Sequence, residues 1–489
     1  MNIANYVLYH ARITPEKPAI VYTGGVATYA MVAAAVHAAA AQIQRAGLGP
    51  GTLAAIDVRD PFRHMVLILA LERCGITSVS VQTTYGLAAS GLRPAAVILD
   101  RFGGPVAGAR TLAVDEDWFD LDLAGPGPGH ECRSMAPGQY TRIVLSSGTT
   151  GVPKAIGLTP EVMGRRLLDG LFWGGAGERT LTIVGVSTTG SFHLLYALAS
   201  GGVACFAPNP EEILHLVRLF GITQMTVMVG QLRELVNHQS RHFGACPTLR
   251  RVTVGGGRPS PALVTEARAS LCSELLLAYG TTETGVVVYG QAGAAAAVEG
   301  AVGHVAPWGR VEAVDETGQV LPAGRHGRLR LWSTKTGEYV AGRAGDRAIL
   351  DRDGWFYPGD IGAVHGDGLV AVFGKDGELI NRGGVVVAPQ FVEDVLRGYD
   401  GIRDAGVVGV QDDPGPVEIW AGVVAGDAFD EWAVHDFCAR RLGDMAPDVV
   451  VLVDAIPRTD TGKVIRDRLR DVLRARRAGA DDGGPPGSA

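Results

Sequence analysis

The chain has 489 residues, a formal net charge of −7 at pH 7, 47% hydrophobic residues and 19% charged ones. A chain of that length buries a large core and divides into two or more domains, and the composition is that of a soluble globular protein. The acidic balance, with no basic stripe and no aromatic–basic interleaving, gives no reason to expect nucleic acid as a partner.

The N-terminus, Met1-Asn-Ile-Ala-Asn-Tyr6, carries no basic and apolar leader, so no secretory signal is expected. Val32 to Ala46 is Ala-rich and reads as a helix. Leu53 to Val58 reads as a buried strand, Phe62 to Arg73 as an apolar helix and Ala95 to Asp100 as another strand. This alternation points to a parallel sheet covered on both faces. Gly125-Pro-Gly-Pro-Gly129 reads as a flexible loop. Thr141 to Leu145 is a short β-branched strand, and Ala155 to Glu161 leads into an apolar-periodic helix. Strand candidates then recur at Leu181 to Val186, Val203 to Ala207, Met225 to Val229, Leu249 to Val254 and Glu274 to Ala278. From about residue 311 the pattern changes to short strands with turns, at Val311 to Val314, Asp315-Glu-Thr-Gly318 and Arg328 to Trp332, which reads as an antiparallel sheet or small barrel. After Phe373 comes a smaller α+β region, with a helix at Pro389 to Leu396 and strands at Ala405 to Val410 and Ile419 to Val424. The tail from Ala478 lacks the residues for a core and is expected to be disordered. No run approaches eighteen apolar residues, so no membrane span is expected. Six scattered cysteines without a Cys-x-x-Cys argue against a zinc site or disulfide framework and fit a reducing cytosol, so a cytoplasmic location is expected.

The stretch that organises the chain is Leu145-Ser-Ser-Gly-Thr-Thr-Gly-Val-Pro-Lys154. Gly148 and Gly151 let the backbone approach a ligand closely. Ser146, Ser147, Thr149 and Thr150 add hydroxyls, and Lys154 adds a positive charge. Such a loop suits a nucleotide's polyphosphate, although the Walker A spacing is absent. A solvated Ser/Thr/Gly turn is the ordinary alternative for this composition. The chain has only five lysines, Lys17, Lys154, Lys335, Lys375 and Lys463, among 44 basic residues. Where arginine is the default cation, a retained lysine reads as kept for its own chemistry.

The ten-residue string resembles the phosphate loop of the adenylate-forming superfamily: acyl- and aryl-CoA ligases, stand-alone adenylation domains of peptide synthetases, and luciferases. Further stations of that superfamily follow in order. Gly255-Gly-Gly-Arg-Pro259 matches a turn whose backbone faces adenine and the acyl pocket, which implies Gly255 on the pocket side and Gly257 and Arg258 beside the nucleotide. Arg258 stands where relatives carry a small residue. Tyr279-Gly-Thr-Thr-Glu-Thr284 places an acid and hydroxyls at a strand end, which suits Mg²⁺ with its preference for oxygen ligands. The resemblance implies that Tyr279 packs on adenine with Gly280 and Thr281, Thr282 contacts phosphate and Glu283 coordinates the metal. Trp355-Phe-Tyr-Pro-Gly-Asp360 resembles the station whose aspartate takes both ribose hydroxyls, and a carboxylate fits a vicinal diol well.

Phe373-Gly-Lys-Asp-Gly-Glu-Leu-Ile-Asn-Arg-Gly-Gly384 resembles the hinge and the start of a mobile C-terminal domain. Lys375 replaces the usual arginine: it can reach a ribose but cannot fork. Gly377 stands at the usual hinge position, which implies a looser pivot. By resemblance Gly383 and Gly384 line the thiol tunnel. Pro457-Arg-Thr-Asp-Thr-Gly-Lys463 matches the last station. It implies that Lys463 swings in and places its ammonium between the substrate carboxylate and the α-phosphate, offsetting negative charge during attack.

The acid pocket falls near Val184-Gly-Val-Ser-Thr-Thr-Gly-Ser-Phe-His193, with Ser187, Thr188 and Gly190 as lining candidates. Amino-acid-activating relatives carry an aspartate there. This chain has none, so an α-amino acid is disfavoured and a neutral aryl or short acyl acid is expected. His193 reads as a gate or a packed core histidine, with the latter favoured.

The resemblance spans about residues 5–475 and implies an α/β fold. A large N-terminal domain of covered parallel sheets plus a small barrel occupies 1–374, a small mobile α+β domain occupies 375–476, and a tail occupies 477–489. It implies an AMP-forming acid–thiol ligase using ATP and Mg²⁺, with CoA as acceptor. Transfer to a carrier protein's phosphopantetheine thiol, or to a nitrogen nucleophile, stays open, as does a non-catalytic binder on the same fold. The expected assembly is a monomer or homodimer.

Overall fold

The computed structural model describes residues 2–22, 24–81, 84–100, 106–119, 135–136, 138–146, 154–173, 175, 177–183, 185–186, 190–207, 209–242, 246–293, 298–341, 350–382, 385–411, 417–459, 462 and 464–481. Within these residues two large sheets face each other across helices. The 7-stranded sheet holds Leu53–Asp57, Thr77–Ser80, Ala96–Leu99, Arg110–Ala113 and Arg142–Ser146 in parallel. Lys154–Leu158 then returns antiparallel to Arg142–Ser146, and Glu338–Ala341 adds at that edge. The 13-stranded sheet runs parallel through Pro18–Tyr22, Val203–Cys205, Arg179–Thr182, Gln224–Met228, Arg251–Gly255 and Glu274–Thr281. It turns antiparallel from Gly285–Gln291 onward, through Ala301–Val305, Leu369–Lys375, Asp360–Val364, Gly327–Ser333 and Gly309–Val314.

Helices Tyr29–Arg45, Pro61–Arg73 and Gly190–Ala199 fill the space between the sheets. Met65 to Leu71 is buried on every side, as expected for a helix enclosed by two sheets. Its start is specified locally: the Asp60 side chain accepts from the Arg63 N–H, and Pro61 occupies the first turn. After Phe373, the 3-stranded sheet of Ile402–Gln411, Val417–Ala425 and Val449–Leu452 packs its own apolar cluster against helices Pro389–Arg397 and Glu431–Leu442. The architecture is the expected α/β class, with large N-terminal sheets and a small C-terminal α+β unit.

Two expectations are corrected, and one is made more detailed. The antiparallel region begins at Gly285, not near 311. Gly-Val-Val-Val-Tyr lacks polar alternation because residues on both of its faces are covered, so it reads like a parallel strand. Residues after the phosphate loop form the strand Lys154–Leu158 before helix Pro160–Trp173 begins. The chain stays helical through Asp481, beyond the tail boundary drawn at 477, because its Arg- and Ala-rich residues are strong helix formers. The Gly125–Gly129 loop and residues 482–489 lie outside the described residues. Among the described residues no helix is long and apolar enough to cross a membrane.

Candidate active site

Strand Glu274–Thr281 and the strand that follows it form a tight hairpin whose turn is Thr282, Glu283 and Thr284. Gly280 is required there: a Cβ would lie 2.6 Å from the Val286 Cα. The turn is fixed from within, since the Thr281 hydroxyl accepts from the Thr284 N–H at 3.1 Å. It is also fixed from outside. Arg166, buried on helix Pro160–Trp173, donates Nη2 to the carbonyls of Thr282 at 3.0 Å, Glu283 at 2.9 Å and Lys335 at 3.0 Å. The Gly337 N–H donates to the Glu283 carbonyl at 2.8 Å. Burial lowers the Arg166 guanidinium to about 10, which leaves it charged at neutral pH.

The Glu283 side chain is buried, and its Oε1 accepts from the Tyr339 phenol at 3.4 Å. Lys154 Nζ donates to the same Tyr339 oxygen at 3.4 Å and lies 5.2 Å from the ring centroid. Lys154 is also the register partner of Ser146 in the phosphate-loop hairpin. A second group forms at the other side of Tyr279. Its phenol donates to Asp360 Oδ2 at 2.7 Å, and Lys375 Nζ lies 2.8 Å from Asp360 Oδ1. Lys375 pairs directly across from Asp360 in the antiparallel ladder and also donates to the Pro358 carbonyl at 2.8 Å. Burial, followed by the neighbouring Asp360 charge, pushes the Tyr279 phenol well above its ordinary range.

The structure therefore brings together Tyr279, Asp360 and Lys375 as one group, and Thr282, Glu283 and Lys154 as another. Gly255 closes the strand Arg251–Gly255, with Gly257 in the turn beyond it. The Arg258 guanidinium lies 3.6 Å from Asp394 on helix Pro389–Arg397. That tie joins the Gly255–Pro259 turn to the C-terminal unit. Ser147, Gly148, Thr149, Thr150, Gly151, Ser187, Thr188, Gly383, Gly384 and Lys463 lie outside the described residues. Gly190 opens helix Gly190–Ala199, and the partly buried His193 packs edge-on to Tyr196, with desolvation lowering its imidazole to about 4.

Sequence reasoning missed Arg166 and Tyr339. Arg166 had no signal, being one arginine on an amphipathic helix of an arginine-rich chain. Tyr339 follows Thr336-Gly-Glu338, a turn signal at a strand start, but nothing local says what the ring faces. Lys335 answers the scarcity argument in part: it is buried with Nζ 3.3 Å from the Trp308 ring centroid, and burial, then the Arg166 charge, lowers it to about 7.

The donor set fits magnesium with a nucleotide. Glu283 and the Thr282 hydroxyl offer oxygen only, and one carboxylate completed by phosphate oxygens is a common way to hold Mg²⁺. Among the described residues no cluster of three or more His, Cys, Asp or Glu could hold a metal.

ScoC, a fatty acid–[acyl-carrier-protein] ligase from Streptomyces coeruleorubidus, is 27% identical over 492 residues, covering 95% of this chain and 95% of its own. A 2-succinylbenzoate–CoA ligase from Listeria innocua is 24% identical, covering 96% of this chain and 99% of its own. The fold is similar to that of the amide bond synthetase McbA from Marinactinospora thermotolerans (TM-score 0.80, 24% identity, 96% of this chain and 99% of that one). It is also similar to the Bacillus subtilis O-succinylbenzoate coenzyme A synthetase in complex with ATP and magnesium ion (TM-score 0.82, 22% identity, 96% and 99%). The AMP-binding enzyme family matches residues 8–337, and the AMP-binding enzyme C-terminal domain matches residues 392–463. On this fold, this site and these matches, the chain belongs to the AMP-binding enzyme family, the adenylate-forming superfamily that its motifs resemble.

Proposed function

We propose that the protein activates an aryl or short acyl carboxylic acid with ATP and transfers the acyl group to the thiol of CoA. The acid's carboxylate oxygen attacks the α-phosphate. A new acyl–O–P bond forms as the bond to pyrophosphate breaks. The thiol sulfur then attacks the acyl carbon and AMP leaves, so a poor leaving group has been exchanged for a good one. Bound magnesium supplies charge neutralisation at the phosphates. Glu283 holds it, Thr282 and Lys154 orient phosphate oxygens, and Asp360 takes the ribose diol beside Tyr279 and Lys375. Lys463 brings an ammonium to the charge that develops at the α-phosphate. Residues 375–476 form the mobile unit that carries Lys463 in and, after rotation, lines the thiol tunnel with Gly383 and Gly384. The absence of a carboxylate in Val184–His193 favours an acid without an α-ammonium.

One observation supports the reading: Lys154, Glu283 and Asp360 come from three separate stretches of chain and are linked through Tyr339 and Tyr279. A second reading, delivery to a carrier protein's thiol, is supported by the similarity to ScoC. The test is pyrophosphate release from ATP across a panel of acids, then acceptor dependence with CoA, a phosphopantetheinylated carrier protein and amines. Release that needs an acid, and product that needs CoA, is the expected result. Lys463→Ala should abolish adenylate formation, and a variant that forms adenylate at the wild-type rate would overturn the mechanism. Turnover with a carrier protein but not CoA would overturn the acceptor.

A further inference from the structure

Strand Glu338–Ala341 reaches the phosphate-loop hairpin from nearly two hundred residues away in sequence, and its docking is tightly specified. Glu338 pairs with Gly157 and Tyr339 with Ile156 in antiparallel register. The Tyr140 phenol donates to the Glu338 carboxylate at 2.8 Å. Gly337 permits the close approach, since a Cβ there would lie 2.7 Å from the Ile156 side chain. On the other side, the same segment is stitched to the metal turn through the Lys335 carbonyl on Arg166 and the Gly337 N–H on the Glu283 carbonyl. Segment 335–341 therefore spans the gap between the two halves of the phosphate site.

Tyr339 stands in that gap. Side chains alternate across a strand, so docking Glu338 toward Tyr140 sends Tyr339 to the opposite face. There its single phenol oxygen meets both Lys154 Nζ and Glu283 Oε1 at 3.4 Å. A phenol suits this place because it donates to the carboxylate while accepting from the ammonium. The ring gives Lys154 a second, cation–π contact. Both hydrogen bonds are long, so they orient the two charged groups without competing strongly with phosphate or metal.

We propose that Tyr339 is a positioning residue that sets the separation of the phosphate lysine and the metal-binding carboxylate, and that its hydroxyl tunes how tightly Glu283 takes magnesium. This rests on the assignment of Glu283 and Lys154 to Mg·ATP above. The phenol beside Oε1 favours one orientation of the carboxylate over several, with its other oxygen left for a cation. The ring and the hydroxyl have separable effects: the hydroxyl touches both Glu283 and Lys154, whereas the ring steadies Lys154 alone and still does so once the hydroxyl is gone.

The test uses the full chain, with calorimetric titration of ATP in the presence and absence of Mg²⁺. Tyr339→Phe keeps the ring and removes only the hydroxyl. Its thermal unfolding without nucleotide should match wild type, and its affinity for metal-free ATP should change less than about twofold. The affinity gain on adding Mg²⁺ should fall about five- to tenfold, the scale of one ordinary hydrogen bond, since the contact is long. Tyr339→Leu should lose that gain and weaken metal-free ATP as well. A Tyr339→Phe chain with the full magnesium gain overturns the inference and leaves the functional reading intact. A wild-type chain that binds ATP with no magnesium gain, or not at all, overturns both.

Discussion

Arg166 is the buried cation that holds the Thr282–Thr284 turn, and Arg166→Met removes its charge and hydrogen bonds while keeping most of its volume. Three carbonyls lose a donor: Lys335, which receives Nε at 3.1 Å and Nη2 at 3.0 Å, Thr282 at 3.0 Å and Glu283 at 2.9 Å. The Glu283 carbonyl keeps the Gly337 N–H, so the loss falls on Thr282 and Lys335. Each buried carbonyl deprived of its donor costs about 1–3 kcal/mol. Thr282 is half-buried, so water recovers part of its share. The guanidinium also lies 5.5 Å from the Phe192 ring, a contact worth roughly 0.5–1 kcal/mol. Against this, the variant no longer pays to desolvate an ion, and replacing a buried ion by an apolar side chain is often close to neutral. We expect a net loss of about 2–3 kcal/mol, which a chain with the usual 5–15 kcal/mol of stability survives folded. Urea unfolding followed by tryptophan fluorescence measures the first effect. Isotope exchange between pyrophosphate and ATP measures the second, where loosening Thr282 and Glu283 should raise KM for Mg·ATP about tenfold or more. A variant with wild-type urea midpoint and wild-type KM would refute the assignment of Arg166 as the clamp of this turn.

Arg258→Ala should loosen the C-terminal unit, because Asp394 keeps Arg397 at 3.4 Å but loses its tie to the Gly255–Pro259 turn. Faster amide exchange in residues 389–397, corresponding to about 1 kcal/mol, is expected; unchanged exchange would show that the pair holds nothing. His64 is neutral and wholly buried, with Nδ1–H donating to the Val58 carbonyl at 2.9 Å and Nε2 accepting from the Ser80 hydroxyl at 2.6 Å. Burial lowers it from 6.5 to about 4. The folded state therefore prefers the neutral ring, and its contribution is intact above pH 6.5 and lost as pH falls from 6.5 to 4, in total about 3 kcal/mol. Glu72, raised by burial to about 7, runs the other way: its contribution is present below pH 4.5 and lost as pH rises to 7. His64→Gln should leave only the Glu72 trend, so urea midpoints should decline between pH 4.5 and 7, whereas parallel profiles for variant and wild type would contradict this.

The motif stretches could be read in order along the chain: Tyr279 to Glu283 as an acid beside hydroxyls at a strand end, and Asp360 and Lys375 as two separate motif residues. Their pairing across a hairpin, with the Tyr279 phenol on Asp360, is a finding of the structure. The strand–helix alternation likewise foretold covered parallel sheets, because burial on both faces leaves continuous apolar runs. Where the expectation failed, at Gly285–Gln291, the failure has the same cause: an antiparallel strand covered on both faces looks parallel.

What the amino-acid order determined by itself was the class of fold and the motif stretches that mark the family, since hydrophobic period and turn chemistry act over a few neighbouring residues. Only the tertiary structure decided what those residues lean on. Arg166 meets the Glu283 carbonyl across 117 positions, and Tyr339 meets Lys154 across 185. Periodicity specifies which face of an element is buried and carries no information about the partner across the gap, so the clamps around Glu283 and Lys154 appear only once the sheets have closed.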